Sequence, residues 1–115
     1  MSKRYIPDSG DIIWMHFDLP AGGDGADYKP ALVLSPAAYN RKTGLVVCCA
    51  ITSQIKGYPF EVPLAAQGAQ APRAVLSDQV KSLDWMHAKI SFQGRASPAE
   101  LAQVRAKLHA LVFKP

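Results

Sequence analysis

The sequence predicts one mainly β domain, residues 1–115, that ends in a helix and folds as a small, strongly bent sheet or barrel. Its 115 residues leave room for a single hydrophobic core. Hydrophobic residues make up 49% of the chain and charged residues 19%, as in ordinary globular domains. Five or six short apolar segments alternate with turn-forming residues, and one amphipathic segment follows them. This pattern is typical of small curved β structures.

The first half of the chain contains three apolar segments that read as strands. They are residues 11–17, 31–35 and 45–52. Residues 20–27, with three glycines and two acids, are predicted to form a loop. Between the second and third strands, residues 36–44 are predicted to form one or two helical turns, with Ser35 as the N-cap and Pro36 at the first helical position.

The second half contains three shorter strands and the closing helix. The strands are residues 60–64, 74–76 and 89–92. Ser97 and Glu100 form a capping box around Pro98, which marks the start of the helix. Apolar residues then recur at helical spacing along one face: Leu101, Val104, Leu108 and Leu111.

An antiparallel pairing of the second and third strands is predicted to bring a lysine and a threonine together. If Ser35 lies opposite Val46, paired residue numbers sum to 81, and Lys29 faces Thr52. The same register pairs Ala31 with Ala50 and Val33 with Cys48. Directly opposed side chains have Cβ atoms about 5 Å apart, so an ammonium and a hydroxyl could hold one phosphate. The alternative interpretation is a solvated lysine beside a strand-end threonine.

Both faces of this strand pair are apolar at its centre. Val33 and Cys48 lie on one face, while Leu32 and Cys49 lie on the other. Because a strand pair that is apolar on both faces must be covered twice, a second subunit could supply one cover. On this ground the sequence predicts a homodimer.

The charge distribution suits a polyanionic partner. The net charge is +4. Residues 1–28 carry two bases and five acids, whereas the remainder carries eleven bases and four acids. A basic body with an acidic N-terminal segment fits either nucleic acid or an acidic protein as a partner.

Cysteine usage and hydropathy indicate a cytoplasmic protein. Cys48 and Cys49 are adjacent, so on a strand they point to opposite faces and cannot readily pair with each other. They are therefore predicted to be reduced packing residues in a reducing compartment. No apolar run approaches the ~18 residues that cross a bilayer, and the N-terminus lacks a signal-peptide pattern. The three histidines show no ligand-like spacing, so no metal site is predicted.

Seven short motifs, in order along nearly the whole chain, resemble the MazF toxins of bacterial toxin–antitoxin systems. They are YIPDSGD at 5–11, KPALVLSP at 29–36, YN at 39–40, KTG at 42–44, TSQ at 52–54, KGYPFEV at 56–62 and DQVKS at 78–82. The resemblance implies an SH3-like barrel of the CcdB/MazF/PemK type, with a C-terminal helix, that forms a homodimer. It also implies a ribosome-independent mRNA interferase that cleaves single-stranded RNA and is neutralised by a MazE-like antitoxin.

The resemblance also implies which residues perform the chemistry. The basic residue before the proline of the second strand, usually arginine in the family, is Lys29 here, and the threonine ending the third strand is Thr52. The implied reaction is attack by the ribose 2′-OH on the adjacent phosphorus, which leaves a 2′,3′-cyclic phosphate and a 5′-OH. It requires no metal or other cofactor. Asp24 is the candidate proton acceptor because of its place in the glycine-rich loop.

Five further residues are candidates for RNA binding, each with a structural alternative. Ser53 and Gln54 are predicted to read base edges or to form a turn, and Lys56 to contact a phosphate or only solvent. Asp78 either contacts RNA or caps a turn. Trp85, outside any apolar pattern, is predicted to stack on a base or line the groove.

Two other functions of the same fold stay open at this point. One is a CcdB-like toxin that binds DNA gyrase and cuts nothing. The other is a relative that binds single-stranded RNA but has lost activity because lysine replaces the family arginine at position 29. Cleavage of RNA by the purified protein, in EDTA and without ribosomes, discriminates between these and an endoribonuclease.

Overall fold

The fold is one curved antiparallel sheet with a short helix in a crossover and a long helix at the end. The computed structural model describes residues 4–17, 27–65 and 72–113. The elements are β1 (Asp11–Phe17), β2 (Asp27–Val33), α1 (Ala37–Thr43), β3 (Leu45–Thr52), β4 (Glu61–Leu64), β5 (Arg73–Asp84), β6 (Lys89–Arg95) and α2 (Pro98–Phe113). The six strands lie in the order β4-β5-β3-β2-β1-β6. This confirms the mainly β, barrel-like class with a C-terminal helix, although β4 and β6 do not pair to close the sheet.

The element bounds agree with the sequence where the apolar pattern is strong and differ where pairing decides them. β1 and β3 have the predicted bounds, whereas β5 runs for 12 residues instead of the predicted three. Its second half is mostly exposed but pairs with β3 from Leu45 to Cys49. Polar residues extend this strand because the backbone of β3 offers hydrogen-bond partners, which a local hydropathy pattern does not reveal.

The predicted cap of α1 is wrong. The N-cap position is Pro36, which makes no side-chain cap hydrogen bond. The Ser35 hydroxyl instead accepts a hydrogen bond from the Val47 amide at 2.9 Å and donates to Asn40 Oδ1 at 2.5 Å. Asn40 is fully buried and its amide nitrogen also donates to the Pro7 carbonyl at 2.8 Å. Ser35 therefore ties α1 to β3.

The predicted register of β2 against β3 is confirmed over the centre of the pair. Ala31 lies opposite Ala50 and Val33 opposite Cys48. The predicted facing of Lys29 and Thr52 is wrong, because the ladder does not continue past Ala31. Towards their other neighbouring strands, Lys29 pairs with Met15 on β1 and Thr52 pairs with Ala74 on β5. The β3–β5 pair has a register shift between Cys49 and Ile51.

The two faces of the sheet carry separate cores, since successive residues of a strand point to opposite sides. One core lies against α2 and includes Ile12, Leu32, Cys49, Ile51, Val62, Leu64, Val75 and Val104. The other includes Ile13, Met15, Ala31, Val33, Val46, Cys48 and Trp85, with Tyr5 and Ile6 of the N-terminal segment packed against it. The chain thus covers both faces of the β2–β3 pair, so the need for a second subunit as a cover, on which the homodimer was predicted, does not arise. In the described ranges, no helix is long and apolar enough to span a membrane.

The capping box at the start of α2 is confirmed. The Glu100 amide donates to Ser97 Oγ at 3.1 Å, and the Ser97 amide donates to Glu100 Oε1 at 2.8 Å. Each bond satisfies a backbone donor that would otherwise have no partner at the helix end.

Replacing Ser97 with alanine is expected to lower the free energy of unfolding by about 1 kcal/mol, because the first turn of α2 loses one of its two reciprocal bonds. Urea denaturation followed by circular dichroism measures the change. Ser82→Ala, at an exposed position of β5, is the control and should change the unfolding free energy by less than about 0.5 kcal/mol. Equal losses in both variants would contradict a role for the cap.

Candidate functional site

Two neighbouring cavities are lined by four of the eight predicted site residues: Lys29, Thr52, Gln54 and Lys56. The first, the Lys29 cavity, has a volume of about 60 Å³. It is lined by Lys29, Pro30, Ala31, Cys48, Ala50, Gln79, Lys81 and Leu83. The second, the Thr52 cavity, has a volume of about 310 Å³. It is lined by Thr52, Gln54, Lys56, Tyr58, Glu61, Leu76 and Gln79. Because Gln79 lines both, the two cavities adjoin, and we call them together the trough.

The register of β2, β3 and β5 builds the Lys29 cavity. Ala31 and Ala50 face each other across β2 and β3, and their small side chains leave a depression in the sheet surface. Lys81 of β5 lies opposite Cys48 of β3, and the exposed Lys29 precedes Ala31 on β2. Two lysines from strands on either side of β3 therefore line one depression, which suits a phosphate group.

The end of β3 places the Thr52 hydroxyl at the second cavity. Thr52 Oγ1 accepts a hydrogen bond from the Gln54 amide at 3.0 Å, which turns the chain sharply after the strand. Since the oxygen is the acceptor in this bond, the hydroxyl hydrogen remains available for a ligand. Thr52 is half-buried, whereas Ser53, Gln54 and Lys56 are exposed along the segment that follows.

Glu61, at the start of β4, holds the chain on the far side of the Thr52 cavity. Its carboxylate accepts hydrogen bonds from the amides of Lys56 at 2.9 Å, Gly57 at 2.9 Å and Tyr58 at 3.3 Å. Only 9% of Glu61 is exposed. Sequence reasoning placed Glu61 within a motif but gave it no role.

The trough is electropositive. Of the described residues that line it, three are lysines (Lys29, Lys56 and Lys81) and one is acidic. That acid is Glu61, whose charge already faces three backbone N–H groups. A surface that combines ammonium groups with hydroxyl and amide donors favours a polyanion that also has hydrogen-bonding edges.

Cys48 lines the Lys29 cavity but is not suited to act as a nucleophile. Burial raises the pKa of its thiol to about 11, an effect that the nearby Lys81 only partly opposes. Burial likewise raises the pKa of Cys49 to about 12. Because the thiolate is the reactive form, both side chains are inert at neutral pH. Both thiols are free and buried.

The structure removes Trp85 from the candidate RNA contacts. Only 2% of Trp85 is exposed, and its indole N–H donates to the Asn40 carbonyl at 2.9 Å. The guanidinium of Arg4 lies over the indole, 5.3 Å from the ring centre. The prediction that Trp85 stacks on a base is therefore wrong: the residue follows β5 into the core, where the N-terminal segment packs around it.

Three other predicted residues remain to be placed. Ser53 is exposed next to Thr52 but lines neither cavity of the trough, and Asp24 lies outside the described residues. Asp78 is half-buried within β5, and its Oδ1 atom is buried without a hydrogen-bond partner. The structural alternative for Asp78, a turn cap, is wrong because the residue lies inside a strand. Gln79 and Lys81 of the same motif line the trough instead, since side chains alternate along β5.

The described residues contain no group of three or more His, Cys, Asp and Glu side chains that could hold a metal ion.

Comparison with known proteins identifies close relatives over almost the full chain. The family described as PemK-like, MazF-like toxin of type II toxin–antitoxin system matches residues 8–112. The chain is 45% identical to the endoribonuclease toxin MazF of Escherichia coli K12, over 97% of this chain and 99% of that protein. A chain of the MazE–MazF crystal structure (Form II) from Deinococcus radiodurans is 44% identical, with a TM-score of 0.88 over 97% of this chain and 100% of that one. MazF alone from the same organism is 45% identical, with a TM-score of 0.81 over 95% of this chain and 98% of that one.

Proposed function

Since the chain belongs to the PemK-like, MazF-like toxin family of type II toxin–antitoxin systems, we propose that it is an endoribonuclease that cleaves single-stranded RNA at a short sequence without the ribosome. One observation carries the proposal: the electropositive trough places Lys29 and Thr52 in adjoining cavities. Although the two residues are not cross-strand partners, Gln79 lines both of their cavities, so one nucleotide and its flanking phosphate can contact both.

The proposed reaction is an internal transesterification. The ribose 2′-OH attacks the adjacent phosphorus, the bond from phosphorus to the 5′ oxygen breaks, and the products are a 2′,3′-cyclic phosphate and a 5′-OH. The Lys29 ammonium stabilises the charge that develops on the phosphorane and can donate a proton to the departing 5′ oxygen. The Thr52 hydroxyl donates to a non-bridging oxygen. Asp24 remains the proposed acceptor of the 2′-OH proton.

Residues along the trough are proposed to select the RNA. Lys56 contacts a phosphate, and Ser53 and Gln54 reach the Watson–Crick edges that single-stranded bases present. Asp78 stays a proposed RNA contact because it is adjacent on β5 to Gln79, which lines the trough. Bound RNA would then run along the trough from Lys56 towards Lys81.

The proposal is tested by incubating the purified protein with a long RNA, in EDTA and without ribosomes, and sequencing the 5′-OH ends. Cleavage after one short motif is expected, and DNA of the same sequence should resist because it lacks the 2′-OH. RNA binding without new ends would indicate an inactive relative. Gyrase inhibition without RNA cleavage would favour the CcdB-like alternative, and either result would overturn the proposal.

The proposed protein partner is a MazE-like antitoxin. The D. radiodurans relatives were crystallised as MazE–MazF complexes. An acidic, extended segment of such an antitoxin would complement the three lysines of the trough and exclude RNA. The two free, buried cysteines agree with a cytoplasmic location, where thiols stay reduced.

The proposed homodimer has an apolar surface available to it on the side of α2. A groove of about 550 Å³ lies between α2 and the sheet, with Leu34, Val47 and Val80 on one side and Leu108, Val112 and Phe113 among the residues of the helix. Val112 is 59% exposed and Phe113 72% exposed. Large apolar side chains with this exposure are typical of interaction sites, and a second copy of the chain is the proposed occupant.

Replacing Val112 with aspartate is expected to convert the dimer to a monomer, because it buries an unpaired charge in the proposed interface. Sedimentation velocity across a concentration series measures the association. Met86→Asp provides a control, since Met86 is an exposed apolar residue (41%) outside the groove, and it should leave the dimer intact. A wild-type protein that sediments as a monomer would exclude this interface.

A further inference from the structure

We propose that Glu61 is a positioning residue, which holds the turn at residues 56–58 in place as a wall of the RNA trough before RNA arrives. The inference rests on the proposed function, because it assigns a role in RNA binding to a side chain that does not itself need to touch RNA. It differs from the roles proposed for Lys29 and Thr52, which act on the scissile phosphate.

The hydrogen bonds around Glu61 account for the shape of the turn. Oε1 accepts hydrogen bonds from the amides of Gly57 and Tyr58, and Oε2 accepts one from the amide of Lys56. In the other direction, the Glu61 amide donates to the Tyr58 carbonyl at 3.0 Å. Three consecutive amides therefore converge on one carboxylate, whose two oxygens act as acceptors in all three hydrogen bonds.

Glu61 stands at the start of a buried strand, whereas the turn that it holds is exposed. The next residue on β4, Val62, is fully buried, and Leu64 is 8% exposed. Residues 53–59 are exposed, by contrast. The turn is secured from the helix as well, by a hydrogen bond from Lys107 Nζ to the Pro59 carbonyl at 2.6 Å. Through its hydrogen bonds, Glu61 thus ties the exposed turn to β4, whose apolar side chains lie in the core.

The turn matters for RNA because of what it presents. Lys56 and Tyr58 flank Gly57, and both line the Thr52 cavity. Gly57 has a φ of +76°, which a residue with a side chain adopts only with strain, and nothing lies within 4 Å of where its Cβ would be. The conformation, rather than the available space, is what requires glycine here. If the turn loosens, RNA must order Lys56 and Tyr58 on binding, and affinity falls.

Glu100 offers a matched control elsewhere in the molecule. Its carboxylate also accepts two backbone amides, those of Ala65 at 2.6 Å and Ser97 at 2.8 Å. It lines a different cavity, beside Arg95 and α2, and does not line the trough. Loss of Glu100 therefore removes a comparable structural tie without disturbing residues 56–58.

The test compares Glu61→Ala, Glu61→Gln and Glu100→Ala in steady-state cleavage of a short RNA that contains the target motif. For Glu61→Ala we expect KM to rise about tenfold, the equivalent of one lost hydrogen bond to a charged group, with kcat within about threefold of wild type. Glu61→Gln should raise KM less, because its amide oxygen still accepts two of the three N–H groups. Glu100→Ala should leave KM unchanged, even if its melting temperature falls by as much as that of Glu61→Ala.

Hydrogen exchange measures the anchoring independently of activity. The amides of residues 56–58 should exchange faster in Glu61→Ala than in wild type or Glu100→Ala. If these amides exchange faster and KM stays at the wild-type value, the turn is held by Glu61 but does not serve RNA binding, and the proposal is overturned. An equal rise in KM for Glu100→Ala would also overturn it, because the effect would then follow general stability.

Two further experiments cover the cases in which Glu61→Ala does not fold or the wild-type protein does not cleave RNA. If Glu61→Ala does not fold, Glu61→Gln and Gly57→Ala perturb the same turn, and both must raise KM for the proposal to stand. If wild-type protein binds the RNA but does not cleave it, the proposed function fails, while the dissociation constants of the same variants still test the positioning role.

Discussion

Replacing Lys29 with alanine is expected to lower kcat for RNA cleavage by about 10²–10³-fold, because the transition state loses the cation that stabilises its developing charge. The melting temperature should change little, since the Lys29 side chain is exposed and lies at the rim of a cavity. RNA cleavage under single-turnover conditions, with calorimetry of the same preparation, separates the chemical effect from unfolding.

Two variants serve as controls for this result. Lys42→Ala removes an exposed lysine of α1 that lines neither cavity of the trough, and cleavage should continue at the wild-type rate. Lys29→Arg retains the positive charge and adds a planar, bidentate donor, so cleavage should be maintained or faster. Wild-type activity in Lys29→Ala would exclude Lys29 from the mechanism. A large loss in Lys29→Arg would mean that the site is built around the smaller ammonium group.

Replacing Trp85 with alanine is expected to lower the free energy of unfolding by about 3–5 kcal/mol, the range for removing a large aromatic side chain from a core. Trp85 is 2% exposed and joins Met15, Val33 and Val46 in the core opposite α2. The variant also loses the hydrogen bond to the Asn40 carbonyl and the contact with Arg4. Chemical denaturation followed by far-ultraviolet circular dichroism measures the loss.

The neighbouring residue provides the control for Trp85. Met86 is 41% exposed, so Met86→Ala should cost less than about 1 kcal/mol. Trp85→Phe, which retains most of the ring but not the N–H, should fall between the two. If Trp85→Ala instead keeps wild-type stability and loses RNA affinity, the residue is a base-stacking platform after all and its buried position is not the one it occupies in solution.

The parts of the fold that the sequence predicted well are those with a strong local cause. The apolar run of β3 gave the bounds Leu45–Thr52, and the capping box placed the start of α2. Ser97 and Glu100 specify the helix end through bonds within four residues, so no distant contact is needed. The centre of the β2–β3 register followed from an antiparallel pairing across the short connection between the two strands, with Ser35 set opposite Val46.

Predictions that depended on distant partners did less well. The polar half of β5 forms a strand because β3 supplies its hydrogen bonds, and the ladder between β2 and β3 ends before it reaches Lys29 and Thr52. Trp85 is buried by an N-terminal segment some 80 positions away in the chain, as its contact with Arg4 illustrates. A local pattern contains no information on such neighbours.

The residues of the candidate site also fall into those that the sequence identified and those that only the structure identified. Sequence motifs identified Lys29, Thr52, Gln54 and Lys56, because each residue type is recognisable by its chemistry and its position within a motif. The roles of Gln79 and Glu61 required coordinates. Gln79 is notable only because two cavities meet at its side chain, and Glu61 because three amides converge on its carboxylate. Residue type and spacing set which groups are available, whereas their convergence depends on how a curved sheet brings separate strands and turns together.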